Sequence, residues 1–223
     1  MQLSKNEEDY IKALFSLTVE SRHKNVGTNR LAEYLNLSPA SVNSMLKKLK
    51  LKLLVDYQKY GKLQLTDSGK KIALTMLRKH RLWETFLCNH LNFDWDEVHE
   101  IAEQLEHINS TKLIDELDKF LDFPKKDPHG ANIPRLNENY TPATILKLSE
   151  IKKGNICKLI KVEDNSAAFL KYFKKIGLTL NTEIEVVDCF EFDNSFVIKY
   201  NAQQETVSNK FAENIFVELL DLN

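Results

Sequence analysis

The stretch SPASVNSMLKKLKLKLLV, residues 38–55, decides the fold of the N-terminal part of the chain. Ser38 is typical of a helix N-cap, and the proline that follows is favoured at the first helical position. Apolar side chains then recur at helical spacing and predict one buried face, made of Val42, Met45, Leu46 and Leu49. Small polar residues and lysines occupy the opposite face, which is expected to stay exposed.

The segments on either side complete a winged helix-turn-helix pattern. NEEDYIKALFSLTVES, residues 6–21, has apolar positions at helical spacing and acidic residues in its first turn, which favours a first helix. GTNRLAEYLNLS, residues 27–38, predicts a short second helix. LLVDYQKYGKLQLTDSG, residues 53–69, alternates apolar and polar residues around a Tyr-Gly pair, which indicates a β-hairpin. In this order, the elements predict a winged helix over residues 1–71.

The exposed face of the third helix has the chemistry of a DNA-reading surface. Small side chains let a helix approach the floor of the major groove, and nearby lysines contact phosphates. Residues 1–71 carry 13 Lys and Arg against 7 Asp and Glu, whereas residues 72–223 carry 18 against 25, so an anionic partner is expected for the first segment alone. The alternative is a winged helix that makes only protein contacts. The candidate DNA-binding residues are Thr28, Ser38, Pro39, Ala40, Ser41, Asn43, Ser44, Lys47, Lys48, Lys59 and Lys62.

Composition favours a folded cytoplasmic protein. The chain of 223 residues is 43% hydrophobic and 28% charged, which is ample for a packed core and argues against global disorder. Its start, MQLSKNEEDY, lacks the order of a signal peptide, and no apolar run approaches the roughly 20 residues that span a bilayer. The three cysteines, Cys88, Cys157 and Cys189, are widely spaced and read as buried thiols, not as a zinc motif or a disulfide framework.

The stretch HEIAEQLEH, residues 99–107, concentrates imidazole and carboxylate groups on a helix expected over residues 94–108. At about 100° per residue, four of them share an arc of about 100° and form one stripe: His99, Glu103, Glu106 and His107. Apolar residues form the adjoining stripe: Val98, Ile101, Leu105 and Ile108. Carboxylates packed this closely repel one another unless a cation lies among them, which favours a metal site at an exposed or half-exposed junction. The alternative is a solvated helix face with local ion pairs.

The rest of the chain predicts a second helical region and a small β domain. A long helix over residues 70–91 places His80 and Glu84 four residues apart, and STKLIDELDKFLDF, residues 110–123, is a further helix. Four prolines in residues 124–144 indicate a linker, and short apolar runs then predict a barrel similar to an SH3 domain. The fold class is therefore mainly α, with a winged helix at 1–71, a helical domain at 72–127, a linker at 128–144 and an SH3-like domain at 145–223.

Taken together, these motifs resemble the diphtheria toxin repressor and manganese transport regulator family of metal-dependent transcription regulators. The resemblance rests on the order of Asp9, the winged helix, RKHRLWE at 78–84, HEIAEQLEH at 99–107 and DPHGANIP at 127–134. It covers essentially the whole chain and is weakest in the C-terminal barrel. It implies a DNA-binding repressor whose corepressor is a divalent metal ion, and it makes the helical domain at 72–127 the metal-binding and dimerisation domain.

The resemblance also implies two groups of ligands. The primary site would use Asp9, Glu103, Glu106 and His107. A second site would use His80, Glu84 and His99, with further ligands from Asp127, His129 and Asp164. The sequence departs from the family at Lys12, where short manganese regulators have a glutamate ligand, and at Glu103 and Asp9, where the iron-sensing branch has cysteine and methionine.

The implied first site contains three carboxylates and one imidazole, a set that suits Mn²⁺ or Fe²⁺, and the glutamate in place of a thiolate favours manganese. In the expected mechanism, the metal neutralises repelling carboxylates and ties the DNA-binding domain to the dimerisation helices. A homodimer on a palindromic operator is expected, because two-fold symmetry relates its two recognition helices. Two alternatives stay open at this point: a winged-helix regulator that responds to a ligand without metal, and a carboxylate-bridged metalloenzyme.

Overall fold

The computed structural model describes residues 3–20, 26–57, 62–135, 146–163 and 166–220. The chain forms two compact units. The first contains Met1–His80, Leu105–Thr111 and Pro134–Pro142, and the second contains Arg81–Gln104, Lys112–Ile133 and Ala143–Asn223. Among the described residues, no helix is both long and apolar enough to cross a membrane.

The first unit contains the winged helix that the sequence predicts. Its elements are α1 (Lys5–Phe15), which continues into a π-helical segment (Ser16–Glu20), α2 (Thr28–Tyr34), α3 (Pro39–Leu51), β1 (Val55–Tyr57) and β2 (Leu63–Leu65). Helix α4 (Asp67–Leu91) begins here and continues into the second unit. The two strands pair antiparallel, with Val55 opposite Leu65 and Tyr57 opposite Leu63, and the tip of the hairpin, residues 58–61, lies outside the described residues.

Two serine caps fix where helices of the first unit begin. Ser4 and Glu7 form a capping box at the start of α1, and the hydroxyl of Ser38 accepts a hydrogen bond from the Ser41 amide at the start of α3. The core then joins the helices to one another, because Ile11 and Leu14 of α1 are buried in the same cluster as Leu46 of α3. A displacement of α1 would therefore also displace α3, because a close-packed core transmits small movements.

The second unit joins helices to a six-stranded antiparallel sheet. Its helices include α5 (Val98–Leu105), α6 (Thr111–Phe120), α7 (Ala167–Lys175) and α8 (Asn209–Glu213). Its strands are β3 (Leu146–Lys147), β4 (Ile156–Val162), β5 (Glu183–Cys189), β6 (Phe196–Tyr200), β7 (Gln203–Val207) and β8 (Ile215–Leu219), in the order β3-β8-β4-β5-β6-β7. The core of this sheet includes Leu159, Phe173 and Ile198, all fully buried. The predicted fold class is confirmed by this arrangement.

Several details differ from the sequence-based expectation. Of the three cysteines read as buried thiols, Cys157 is buried, but Cys88 is half-buried and Cys189 is exposed. Helix α5 begins four residues later and ends three residues earlier than expected, so Glu106 and His107 lie in the turn after Leu105. Ile108, expected on the apolar stripe, is exposed, and Ala102 is fully buried instead. Strand β7 has the polar sequence QQETV, and the periodicity of apolar residues does not reveal it.

The proline-containing segment begins with a tightly held turn. Lys126 and Asn132 form an antiparallel bridge, and Oδ1 of Asp127 accepts hydrogen bonds from the amides of His129 at 2.8 Å and Ala131 at 2.9 Å. Gly130 has φ +86°, and a Cβ atom there would lie 2.2 Å from the carbonyl oxygen of Ile160. The turn therefore packs against β4 by direct backbone approach. The predicted domain boundaries are not those of the two compact units, and they stay a prediction.

Substituting Gly130 tests this close approach. Gly154→Ala, with φ +85° and nothing within 4 Å of its Cβ position, should cost about 1–3 kcal/mol through backbone strain alone. Gly130→Ala should cost clearly more, because the Ile160 carbonyl would have to move as well. Urea denaturation gives the free energy of unfolding of each variant. An equal loss of stability in the two variants would contradict the proposed packing of the turn.

Candidate metal centre

The first candidate site joins α1 to the turn that follows α5. Ligand atoms of Asp9, Glu106 and His107 lie within 4.8 Å of one another, and Nε2 of His107 is 3.1 Å from Oδ1 of Asp9. We call these three residues the first cluster. All three belong to the first compact unit, and Asp9 and Glu106 are 97 positions apart in the sequence.

His107 is oriented by an acidic residue that the sequence analysis did not single out. Its Nδ1 atom lies 2.7 Å from Oε2 of Glu8, while Nε2 faces Asp9. A histidine ligand commonly donates its other ring N–H to a carboxylate, which fixes the tautomer. If Nδ1–H donates to Glu8 in this way, the lone pair of Nε2 would be available to a metal ion on the side of Asp9. The adjacent acids of the EED motif, residues 7–9, were the signal that could have indicated this pair.

Glu106 is the most deeply buried member of the first cluster, with no exposed side-chain surface. Lys12 Nζ donates to both of its carboxylate oxygens, at 2.7 and 2.9 Å, and Nδ1 of His80 lies 2.6 Å from Oε2. The expectation of an exposed or half-exposed junction is therefore wrong for Glu106. His80 was expected beside Glu84 and His99. Because those two residues belong to the second unit, this grouping stays a prediction. The expected place of Glu103 beside Asp9 stays a prediction for the same reason.

The second candidate site lies between α4 and the turn at 126–132. Ligand atoms of Glu84, Asp127 and His129 are within 4.8 Å of one another, and all three side chains are buried. We call these residues the second cluster. His99 of α5 adjoins it, with Nδ1 3.4 Å from Oε1 of Glu84 and Nε2 3.5 Å from Oε1 of Glu103. Asp164, the ligand expected from the barrel, lies outside the described residues.

Charge is closely balanced within the second cluster. Burial and the negative charge of Glu84 raise the pKa of Asp127, against the opposing effects of Arg81 and His129. Burial by itself lowers the pKa of His129, but the carboxylate of Glu84, 3.6 Å from Nδ1, and the charge of Asp127 raise it to about 9. The ring is held further by Trp95, whose carbonyl oxygen lies 2.9 Å from Nε2 and whose indole stacks on the imidazole.

The donor sets of both clusters fit a divalent metal ion. Each offers two carboxylates and one imidazole without sulfur, a combination that suits Mn²⁺ and Fe²⁺ and is also open to Zn²⁺. The ring nitrogen of His129 that faces Glu84 is Nδ1, at 3.6 Å, so Nδ1 is the atom available to a metal on that side. Asp127 would offer Oδ2, which lies 3.5 Å from Nε of Arg81, because Oδ1 accepts the two amides of its own turn.

The candidate DNA-binding residues of α3 lie on its exposed face. Val42, Leu46 and Leu49 are buried on the opposite face, while Met45, expected to be inward, is only half-buried. The Thr28 hydroxyl donates to Oδ1 of Asn43 at 3.3 Å and so links α2 to α3. Lys59 lies outside the described residues. The exposed candidates of α3 are Pro39, Ala40, Ser41, Asn43, Ser44, Lys47 and Lys48.

Three family models match successive segments of the chain. Residues 2–63 match the N-terminal DNA binding domain of iron dependent repressors. Residues 66–135 match the metal binding and dimerisation domain of the same repressors, and residues 146–219 match the FeoA domain.

Known proteins resemble the chain along most of its length. A solved manganese-dependent transcriptional repressor in complex with manganese has 33% sequence identity and a TM-score of 0.89, covering 96% of this chain and all of that one. The diphtheria toxin repressor of Corynebacterium glutamicum is 25% identical over 202 residues, or 86% of this chain and 87% of that protein. A probable metal transport system membrane protein of Chlamydia trachomatis is 42% identical over 71 residues, 32% of this chain, which spans only 16% of that protein.

The fold, the clusters and these matches define a metal-dependent transcriptional repressor with a winged helix, and this class is not enzymatic. The chain belongs to the diphtheria toxin repressor and manganese transport regulator family of metal-dependent transcription regulators. The resemblance inferred from its motifs is thereby confirmed. Neither the metalloenzyme nor the metal-independent regulator fits this family.

The charge of His129 predicts a pH dependence of stability in the metal-free protein. Because its pKa is raised from 6.5 to about 9, its charged form stabilises the fold fully below about pH 6.5, and this contribution is lost as the pH rises toward 9. The wild type should therefore have a higher free energy of unfolding than His129→Gln at pH 6. This difference should be smaller at pH 9.5, by on the order of 2 kcal/mol. Urea unfolding in the presence of a chelator measures both, and a difference independent of pH would show that His129 is uncharged.

Proposed function

We propose that this chain represses transcription in response to manganese, as a homodimer on a palindromic operator, with the metal held by the first cluster. The observation that supports this proposal is the position of Asp9. It belongs to a helix of the winged-helix core, yet its carboxylate meets His107 in the region that matches the metal binding and dimerisation domain.

The response depends on how α1 is held. Asp9 and His107 come from segments far apart in sequence, and Glu8 keeps the His107 ring turned toward Asp9. A bound divalent cation would supply the positive charge that lets the Asp9 and Glu106 carboxylates stay close together. Because Ile11 and Leu14 share a core with Leu46 of α3, fixing α1 also fixes the recognition helix. The recognition helices of a dimer would then keep a separation of about one DNA turn, 34–36 Å.

Manganese is proposed on the chemistry of the donors. Carboxylates and one imidazole are hard ligands, whereas a thiolate would favour softer ions. Relatives carry both metals in their names, since the matching family models are those of iron dependent repressors and the similar structure is a manganese-dependent repressor with manganese. Iron is therefore the competing assignment, and coordination geometry and supply in the cell decide between the two.

Dimerisation is proposed from the surface of the helical region. Large apolar side chains are exposed to solvent on or beside α4 and α6: Leu91, Leu113, Phe120 and Phe123. Phe86, His90 and Phe120 also form a cluster of rings, with the centroids of His90 and Phe120 4.8 Å apart. Exposed apolar clusters of this kind mark protein interfaces, and a two-fold dimer would bury them.

DNA binding at controlled free metal concentrations tests the proposed function. DNA sequences would be selected from a random pool with the Mn²⁺-loaded protein, and their binding measured by fluorescence anisotropy with Mn²⁺, Fe²⁺, Zn²⁺ and Co²⁺. We expect palindromic sites that are bound by a dimer with Mn²⁺ and released by a chelator. Equal binding with chelator would refute metal control, and activation by Fe²⁺ at lower free concentration than Mn²⁺ would refute the manganese assignment.

Asp9→Ala separates metal binding from the DNA response. Glu106 and His107 should still hold Mn²⁺, more weakly, but the ion would no longer contact α1, so DNA affinity should stay low at saturating metal. Calorimetry and anisotropy on the same variant measure the two effects. Asp67→Ala, which removes a 95% exposed carboxylate, is the control and should keep the metal response. Full metal-activated DNA binding by Asp9→Ala would overturn the proposed link through α1.

A further inference from the structure

Lys12 stands one turn beyond Asp9 on α1 and reaches into the first cluster. Its Nζ atom contacts both oxygens of Glu106, at 2.7 and 2.9 Å. Only 14% of the Lys12 side chain is exposed, and none of the Glu106 side chain. This ion pair is therefore largely shielded from water, and the ammonium charge acts on Glu106 with little screening.

A buried carboxylate needs a compensating charge or hydrogen bonds, and Lys12 supplies both. With His80 also bonded to Oε2, Glu106 is neutralised before any metal arrives. The repulsion expected between unpaired carboxylates is thus offset at Glu106 by the protein itself. The same pair also ties α1 to the turn after α5, which is the connection that the metal would strengthen.

A divalent cation bound by Asp9, Glu106 and His107 would share Glu106 with this ammonium group. Two cations on one carboxylate repel each other, and the lysine has no lone pair with which to join the coordination. The ammonium must move off one oxygen or stay as an unfavourable neighbour. In either case its charge weakens the binding of a metal ion, compared with the same site lacking it.

We propose that Lys12 is a tethered cation that competes with the metal for Glu106, and that it sets the free metal concentration at which the first cluster fills. This inference rests on the proposed function in one respect, namely that the first cluster is the metal centre. It assigns Lys12 two effects of opposite sign: the residue stabilises the metal-free fold and raises the dissociation constant for the metal.

The test compares Lys12→Met with Lys52→Met. Lys52 also pairs with a glutamate of α1, with Nζ 2.6 Å from Oε1 of Glu7, but lies outside the first cluster, so it is a matched control. Calorimetric titration of the metal-free proteins gives the Kd for Mn²⁺, and thermal unfolding with chelator gives Tm. The binding transition that Asp9→Ala weakens identifies the first cluster.

Lys12→Met should lower Tm without metal and lower Kd for Mn²⁺ at this transition about tenfold or more, because removing a nearby charge favours the cation. Lys52→Met should lower Tm and leave Kd unchanged. Lys12→Arg keeps the positive charge and should have a Kd near that of the wild type. If Lys12→Met does not fold, Lys12→Gln takes its place as the uncharged variant. An unchanged or higher Kd in the uncharged variants overturns the role of Lys12. An unchanged titration of Asp9→Ala instead refutes the proposed centre itself.

Discussion

The buried carboxylate of Glu106 is the constraint on which the metal-responsive part of the structure depends. A charge without exposed surface is costly unless it is paired, and here Lys12 and His80 pair it. One of these partners lies on α1 and the other on α4, so the carboxylate fixes the meeting point of two helices and a turn. The candidate ligands Asp9 and His107 lie beside it.

In the proposed function, the position of α1 would couple this electrostatic junction to DNA recognition. One face of the helix carries Glu8, Asp9 and Lys12 toward the turn after α5, and another face contributes Ile11 and Leu14 to the core. A change in charge at the junction would therefore act on a helix whose buried residues share a core with α3. No flexible linker is required for this coupling, since a close-packed core transmits small displacements.

The buried acids of the second cluster also need compensating positive charge, which other side chains supply. Asp127 and Glu84 are buried acids, and their charges are offset by Arg81 and by a His129 whose pKa is raised to about 9. Gly130 lets the turn approach β4 closely, which holds His129 in place. Both clusters thus carry basic side chains next to the acids that would bind a metal, so the protein is folded around these acids before metal binds.

Local patterns in the sequence were sufficient for the winged helix and for the family, because caps, helical periodicity and motif spacing depend on near neighbours. Ser38, the buried face of α3 and the acids of HEIAEQLEH are all of this kind. The sequence pattern did not predict the polar strand β7, because this segment becomes a strand through its pairing with β6 and has no apolar periodicity of its own. The end of α5 at Leu105, the burial of Glu106 and the contact between Lys12 and Glu106, 94 residues apart, were decided only by tertiary structure. The reason is physical: the charge state and burial of a side chain are set by whatever segment packs against it, and a local pattern carries no information about that segment.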